Sequence, residues 1–512
     1  MKSKEKRRGG RPVERKAEAA IAAAPPHSIA AFRWFGRDGA IWLGMLAVVA
    51  GYYYWTVNPT GGEMLHSHYT LLTDAFIFHQ TYLRVTPSPE LLALPDPYDP
   101  DRNAQYKLHD ASLYKGKYYL YFGPAPVVLL FLPYWRVKQE FLPDGMGVFL
   151  FAVAAYVLSC LMLKLVLETW WPRSSRRLYF FVCAVMAFSN TFPIMMRRAG
   201  SYEVAIAAGQ CFVLLGLYSL ARAALGRGAP LAYAAVGGAA LAAAFGSRPQ
   251  LVLAAAALAW FLLVGRGLAL RVRLTRLAAA LVPFAAGAAL IFWYNYIRFG
   301  SILEFGTHYQ LAGMNVRKMQ YFSLARMFPN LWFSVLQPPH LQSSFPFVSL
   351  NLSLLPHPPA RTGGVDPMTG LLWLTPLVLA LTLAPLVRKR IDPERRKDWA
   401  IVMATLAGLG AAWAAIDDML GVTMRYQADC CAVLLLAAAF VIPGIASPRL
   451  GKNGWMARAV IAVGLFGIVM SAALVIEGNE NGLDQTSPRQ FAALSTVFTP
   501  VSKLLGLLGI AP

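Results

Sequence analysis

Charge is what this 512-residue chain has least of: Asp, Glu, Lys and Arg together make up 14%, against about 25% in a soluble globular protein. With 57% hydrophobic residues and long apolar runs, that scarcity excludes a water-soluble globular domain and makes lipid the solvent for most of the chain. Acidic residues are scarcer than basic ones, 26 against 47, for a net charge of +21. Nucleic acid is not the implied partner, because the basic residues sit in short clusters between apolar runs, as in a membrane protein that fixes its topology by charge. Cysteine is also rare. Cys160, Cys183, Cys211, Cys430 and Cys431 all fall within apolar spans, without metal-ligand spacing or an extracellular framework, so they read as small core residues. No repeat of fixed period is present.

One large polar stretch, 58–144, stands apart from the apolar runs. It follows a basic arm (1–39), which reads as disordered and too long in its charged part for a cleaved signal, and a first span from Ala40 to Val57. Within the stretch, Met64 to Leu83 has helical spacing with a stripe at Leu65, Leu72, Phe76 and Leu83, which predicts a helix lying along the membrane surface. Ser112 to Phe122 alternates and turns at Lys115-Gly116-Lys117, which predicts a short hairpin. Val127 to Trp135 is too short to cross and reads as juxtamembrane or re-entrant.

Further spans are predicted at 145–168, 177–195, 203–221, 230–246, 250–265, 277–297, 370–387, 399–416, 427–447 and 457–476, eleven with the first. The tail, 477–512, holds a surface helix or a twelfth span around Pro500 and Lys503. With a cytoplasmic N-terminus, more than half of the 47 Lys and Arg fall in the arm and the short cytoplasmic loops. Counting Val127–Trp135 as a crossing inverts that pattern. The polar loops 58–144 and 298–369 then share the outer side. The expected architecture is an all-α polytopic bundle, with spans in 145–297 and 370–476 and a small outer hairpin.

The outer ends of the spans carry charges that topology does not ask for, and charges at membrane depth are functional candidates. They are Arg197, Arg198, Tyr202 with Glu203, Arg248, Arg298 with Glu304, Asp417, Asp418, Arg425 and Asp429. Several guanidinium groups facing carboxylates suit an anionic head group beside an acid or base, because the planar fork makes paired bonds to phosphate. Each has a plainer reading. Arg425 and Asp429 have the spacing of a helical i,i+4 pair. Ser201 and Glu203 have that of a helix cap. Arg197 and Arg198 sit where side chains reach lipid phosphates. Asp96, Asp99, Asp101 and Asn103 offer oxygen ligands for a divalent metal, but the run reads first as consecutive turns. His66 and His68 are spaced wrongly for one helical face and read as surface polarity, and Tyr114 to Tyr121 as an interfacial aromatic belt.

The basic N-terminus, the single span, the long outer loop and about a dozen spans resemble the GT-C membrane glycosyltransferases, including protein-mannosyltransferase-like and lipid A aminoarabinose-transferase-like enzymes. Leu72-Thr73-Asp74-Ala75-Phe76, Leu91 to Pro100, His109 to Pro126, Arg298-Phe299-Gly300-Ser301 with Glu304-Phe305-Gly306, and Arg425-Tyr426 resemble a bacterial group of GT-C-like membrane proteins. The resemblance implies an enzyme of a bacterial inner membrane. It would move a sugar, usually with inversion, from a polyprenyl-phosphate donor to a glycan, lipid or protein acceptor, with a carboxylate of the first outer loop as base. The larger family often has two acidic residues ahead of a Tyr soon after the first span. Here Glu63-Met64-Leu65-His66-Ser67-His68 precede Tyr69, so the role falls to Asp74, Asp110 or Glu63. Asp110, beside His109 at the hairpin entry, is preferred over Asp74. Arg197, Arg198, Arg248 and Arg425 are expected to neutralise the lipid phosphate. Glu203 and Asp429 would orient them or bind sugar, and His109, Tyr202 and Glu304 complete the expected binding set. Two alternatives remain. A transporter or flippase of lipid-linked glycans needs midplane charges and paired halves. A non-catalytic assembly protein of GT-C-like shape predicts no pocket joining loop 58–144 to the arginines.

Overall fold

A computed structural model describes residues 28–57, 67–265, 267–318, 322–350, 366–446, 454–478 and 481–511. Glu63, His66, most of the basic arm, Arg266, Arg449 and Lys452 lie outside them. The chain is mostly helical, and its described strands form two two-stranded pairs. Among the described residues, eight helices are long and apolar enough to cross a membrane. They are α1 (Arg37–Val57), α3 (Asp144–Trp170), α4 (Arg176–Met196), α5 (Ser201–Ala224), α8 (Leu270–Phe299), α10 (Arg396–Leu420), α11 (Met424–Ile445) and α12 (Trp455–Glu477). Three of the eleven predicted spans are shorter apolar helices: α6 (Pro230–Phe245), α7 (Pro249–Leu263) and α9 (Pro376–Arg388). Each falls short of the roughly 20 residues of a full crossing, so eight helices, and not eleven, meet that criterion.

Helices α5 and α11 are enclosed over most of their length, whereas α8 and α12 are largely uncovered. Val282, Leu290 and Trp293 of α8 and Val469 of α12 are all at least 60% exposed, the surface expected where lipid replaces water. Among the helices, α6 approaches α8 closely at Gly238, where a Cβ would lie 1.8 Å from the Ala280 carbonyl oxygen, the small-residue packing by which membrane helices bring their backbones together.

The described end of the arm, 28–39, is packed against the bundle. Ile29 and Phe32 are buried, the Ile29 amide donates to the Ser174 carbonyl at 2.7 Å, and Asp38 pairs with Arg176 at 2.6 Å. The surface helix is shorter than its spacing suggests: α2 runs His68–Ile77, capped by the Ser67 hydroxyl. Leu83, though fully buried, lies beyond its end. The hairpin is present. β1 (Ser112–Tyr114) pairs antiparallel with β2 (Lys117–Tyr119), and Lys115 and Gly116 take positive φ of 48° and 69°, as a tight two-residue turn requires. The Pro95–Asn103 run is a series of turns, with Asp96 accepting from the Tyr98 amide and Asp99 from the Asp101 amide.

The two polar loops assigned to one side form a single roof. Leu311 exchanges backbone bonds with Asp110 and Ala111, Ser112 Oγ donates to the Gly306 carbonyl at 2.8 Å, and Asn315 and Lys318 meet Asp96. The tail helix α13 (Pro488–Leu507) is not among the eight, and its Phe498 stacks on Phe345 of the second loop at 5.2 Å.

Candidate functional site

Beneath the roof lies a cavity of about 1610 Å³. His109 and Asp110 line it from the first loop, Arg197, Arg198, Tyr202 and Glu203 from the α4–α5 junction, Arg248 from the α6–α7 turn, and Arg425 from the start of α11. Eight of the eleven residues singled out in the sequence therefore share one space. A pocket does join loop 58–144 to the arginines.

Asp110 is held from several sides. Its backbone is left-handed (φ 60°), its amide donates to the Leu311 carbonyl at 3.1 Å, and Gln310 Nε2 donates to its Oδ1 at 2.9 Å. His109 Nε2 lies 3.4 Å from Oδ2. An unfavourable backbone conformation kept by surrounding bonds is common at functional sites. Gln310 also donates to the Tyr202 hydroxyl at 3.2 Å, tying Asp110 to the ring under Arg425.

The arginines are paired differently from their sequence spacing. Arg425 and Asp429 do not form the i,i+4 pair. Arg425 sits in a 3-10 turn, Met424–Tyr426, before the regular helix, so the two do not share a helical face. Instead Arg425 faces Glu203 at 3.8 Å and lies 4.1 Å from the Tyr202 ring centroid, while Arg248 forms a buried ion pair with Asp429. With its amide oxygen toward Arg248, Gln250 accepts two guanidinium bonds of 2.7 and 3.0 Å. Tyr426 lies between the two cations, 5.5 Å from Arg248 and 6.0 Å from Arg425. Glu203 also caps its own helix, accepting from the Gly200 amide at 3.0 Å, so the cap and the ion contact coexist.

Three expected residues fall elsewhere. Asp74 is outside the cavity, paired with Arg84 at 3.2 Å. Glu304 does not line the cavity but accepts from the Gly306 amide at 2.6 Å and meets His308 at 2.7 Å, holding the turn at the rim. Asp429 acts on the cavity only through Arg248. Arg197 lines the wall, yet its guanidinium donates to the Asn481 carbonyl, the Thr486 hydroxyl and the Thr56 carbonyl. It fastens the tail rather than presenting a free fork.

Other residues lining the cavity had no clear sequence signal. His68 is not surface polarity: its imidazole lines the cavity with Nε2 buried and without a partner. Tyr121 belongs to the cavity wall and not to an interfacial belt, with its hydroxyl toward that of Tyr202, and Arg425 Nε is buried without a partner. Buried polar atoms are nearly always bonded, so each such atom calls for an explanation, and these two belong to residues of one cavity. Gln250 and Gln310 are neutral amides that composition cannot distinguish. Among the described residues no three His, Cys, Asp or Glu side chains meet as a metal cluster.

Burial pushes the His68 imidazole below its ordinary value, against the pull of the Asp110 carboxylate. The folded state then binds fewer protons than the unfolded one. The stability this histidine preserves is complete above about pH 6.5 and is lost as pH falls from there through the folded value. Between about pH 7 and about pH 5, Tm is expected to drop more steeply in the native protein than in His68→Gln; equal slopes reject this account.

The turn carrying Arg248 is braced by Gly123. Its amide donates to the Ser247 carbonyl at 3.3 Å, and a Cβ there would lie 1.9 Å from the Gly246 carbonyl oxygen. Gly123→Ala is expected to cost about 1–3 kcal/mol by overpacking and to displace Arg248. An unchanged Tm would show that the backbones have room.

No family model, curated protein or solved structure matches this chain.

Proposed function

We propose that the cavity holds a polyprenyl-phosphate sugar and that the chain transfers the sugar to an acceptor hydroxyl with inversion. The reaction would run on the non-cytoplasmic face of a bacterial inner membrane, as in the GT-C enzymes the sequence resembles. Asp110 takes the hydroxyl proton, the acceptor oxygen attacks the anomeric carbon, and the bond from that carbon to the phosphate oxygen breaks. The leaving polyprenyl phosphate carries the charge away, and Arg198, Arg248 and Arg425 stabilise it as it develops. Glu203 and Asp429 hold Arg425 and Arg248 in place. Val252 and Leu253 of α7 and Ile416 and Leu420 of α10 line the same cavity, an apolar flank suited to an isoprenoid chain.

The observation that carries this reading is the convergence of Asp110 with three arginines on one space that also has an apolar flank. Membranes containing the chain, given radiolabelled polyprenyl-phosphate hexoses and pentoses, should move label into a glycan, lipid or protein fraction. The reading fails if no donor supports transfer and polyprenyl phosphate does not protect the purified protein against heat.

A further inference from the structure

The last turn of α10 carries Asp417 and Asp418 and no basic residue. A helix C-terminus is the negative end of the helix dipole, where a cation is favoured and a carboxylate opposed. Both residues are nevertheless buried, 4% and 2% exposed. Asp418 Oδ2 accepts from Ser334 Oγ at 3.0 Å, but neither carboxylate oxygen of Asp417 has a donor. Across from them, Gln427 donates its amide nitrogen to the Ser334 and Thr369 carbonyls at 2.9 and 2.8 Å. Those two bonds fix which end of the amide is oxygen, and that Oε1 is buried without a donor.

Asp417, Asp418 and Gln427 line a second cavity of about 20 Å³, separated from the large one by a shared wall that includes Tyr426. The space fits about one water or one ion. One water has two hydrogens to give, and three acceptor oxygens need satisfying. Among the described residues the charges do not balance either. Arg248 is the cation that acts on Asp417, but it is paired with Asp429. Arg326, at the same helix end, donates to the Leu420 carbonyl. Buried carboxylates without compensation are costly.

We propose that this second cavity binds one dehydrated divalent cation of the calcium class, held by Asp417, Asp418 and Gln427. The donors are all oxygen, which selects a hard cation, and two carboxylates match its charge. Calcium accepts an irregular oxygen shell, to which two bidentate carboxylates, Gln427 and the Ser334 and Thr423 hydroxyls of the same lining can contribute, whereas magnesium demands a near-ideal octahedron and keeps several waters. With Asp417 neutralised by the cation, Asp429 alone competes for Arg248, so occupancy fixes the guanidinium in the wall of the large cavity. The proposal stands whether or not that cavity transfers sugar.

The test uses the full chain in detergent, stripped with EGTA and titrated with Ca²⁺ at constant ionic strength, with Mg²⁺ and Na⁺ in parallel. At a hundredfold excess over Kd, Ca²⁺ should raise Tm by about 3–5 °C, and the other two should not. Asp417→Asn should lose the rise and, without Ca²⁺, melt no lower than the native protein, because the uncompensated charge is gone. Should that variant fail to fold, Asp418→Asn carries the same expected loss of response, while Asp74→Asn retains the full rise. A native protein indifferent to Ca²⁺, an equal response to Na⁺ or Mg²⁺, or an undiminished Ca²⁺ response in the cavity variants overturns the proposal.

Discussion

Asp110→Asn is expected to lower sugar transfer by about 10²–10⁴-fold, the range lost with a general base, and to leave Tm nearly unchanged. The asparagine keeps the shape of the side chain, and its oxygen can still accept from Gln310 Nε2 in place of Asp110 Oδ1. The backbone bond to Leu311 and the left-handed conformation are also retained, since asparagine tolerates positive φ about as well as aspartate. What disappears is the second, charged oxygen, the one nearer His109. Asp74→Asn is expected to transfer normally, because that carboxylate is engaged with Arg84 outside the cavity. The pair of variants separates two of the carboxylates that the sequence alone left in contention. Full activity in Asp110→Asn, or loss confined to Asp74→Asn, would reassign the base.

Those two carboxylates also show what the sequence can and cannot reveal. The hairpin was legible because alternation and a Lys-Gly turn are local signals, and its entry placed Asp110 on a braced backbone. Most of the helices long and apolar enough to cross a membrane were legible because apolar length is local too. Convergence of Arg197, Arg198, Arg248 and Arg425 was legible only as a shared side, inferred from where basic loops fall. Their partners were not. Arg425 and Asp429 are four residues apart, yet each pairs with a residue about 180 or more positions away, Glu203 and Arg248 respectively; a short 3-10 turn breaks the helical spacing on which the local pairing depends. His68 read as surface polarity because the groups around it, His109, Asp110 and Ser201, are distant in sequence, and Gln250 and Gln310 gave no signal because neutral amides acquire meaning only from the charges they touch. The three short helices α6, α7 and α9 read as full spans in the sequence because hydropathy averages over a window and does not register where the regular helix stops.

Arg248→Met should abolish transfer and also destabilise the protein by about 3–5 kcal/mol, because it leaves Asp429 buried and unpaired. Loss of activity in that variant alone cannot distinguish a broken site from a broken fold. The double variant Arg248→Met with Asp429→Leu can. Replacing both members of a buried pair with apolar residues of similar volume is often neutral, so the double variant should recover most of the lost Tm, with a large coupling between the two positions. Transfer should not recover, because the phosphate would still face a cavity without that guanidinium. The neighbouring Gln250 and Tyr426, which contact Arg248 from two sides, remain in place and keep the cavity's shape. If the double variant regains both stability and transfer, Arg248 serves only to neutralise Asp429, and the leaving phosphate must be held by Arg198 and Arg425 alone.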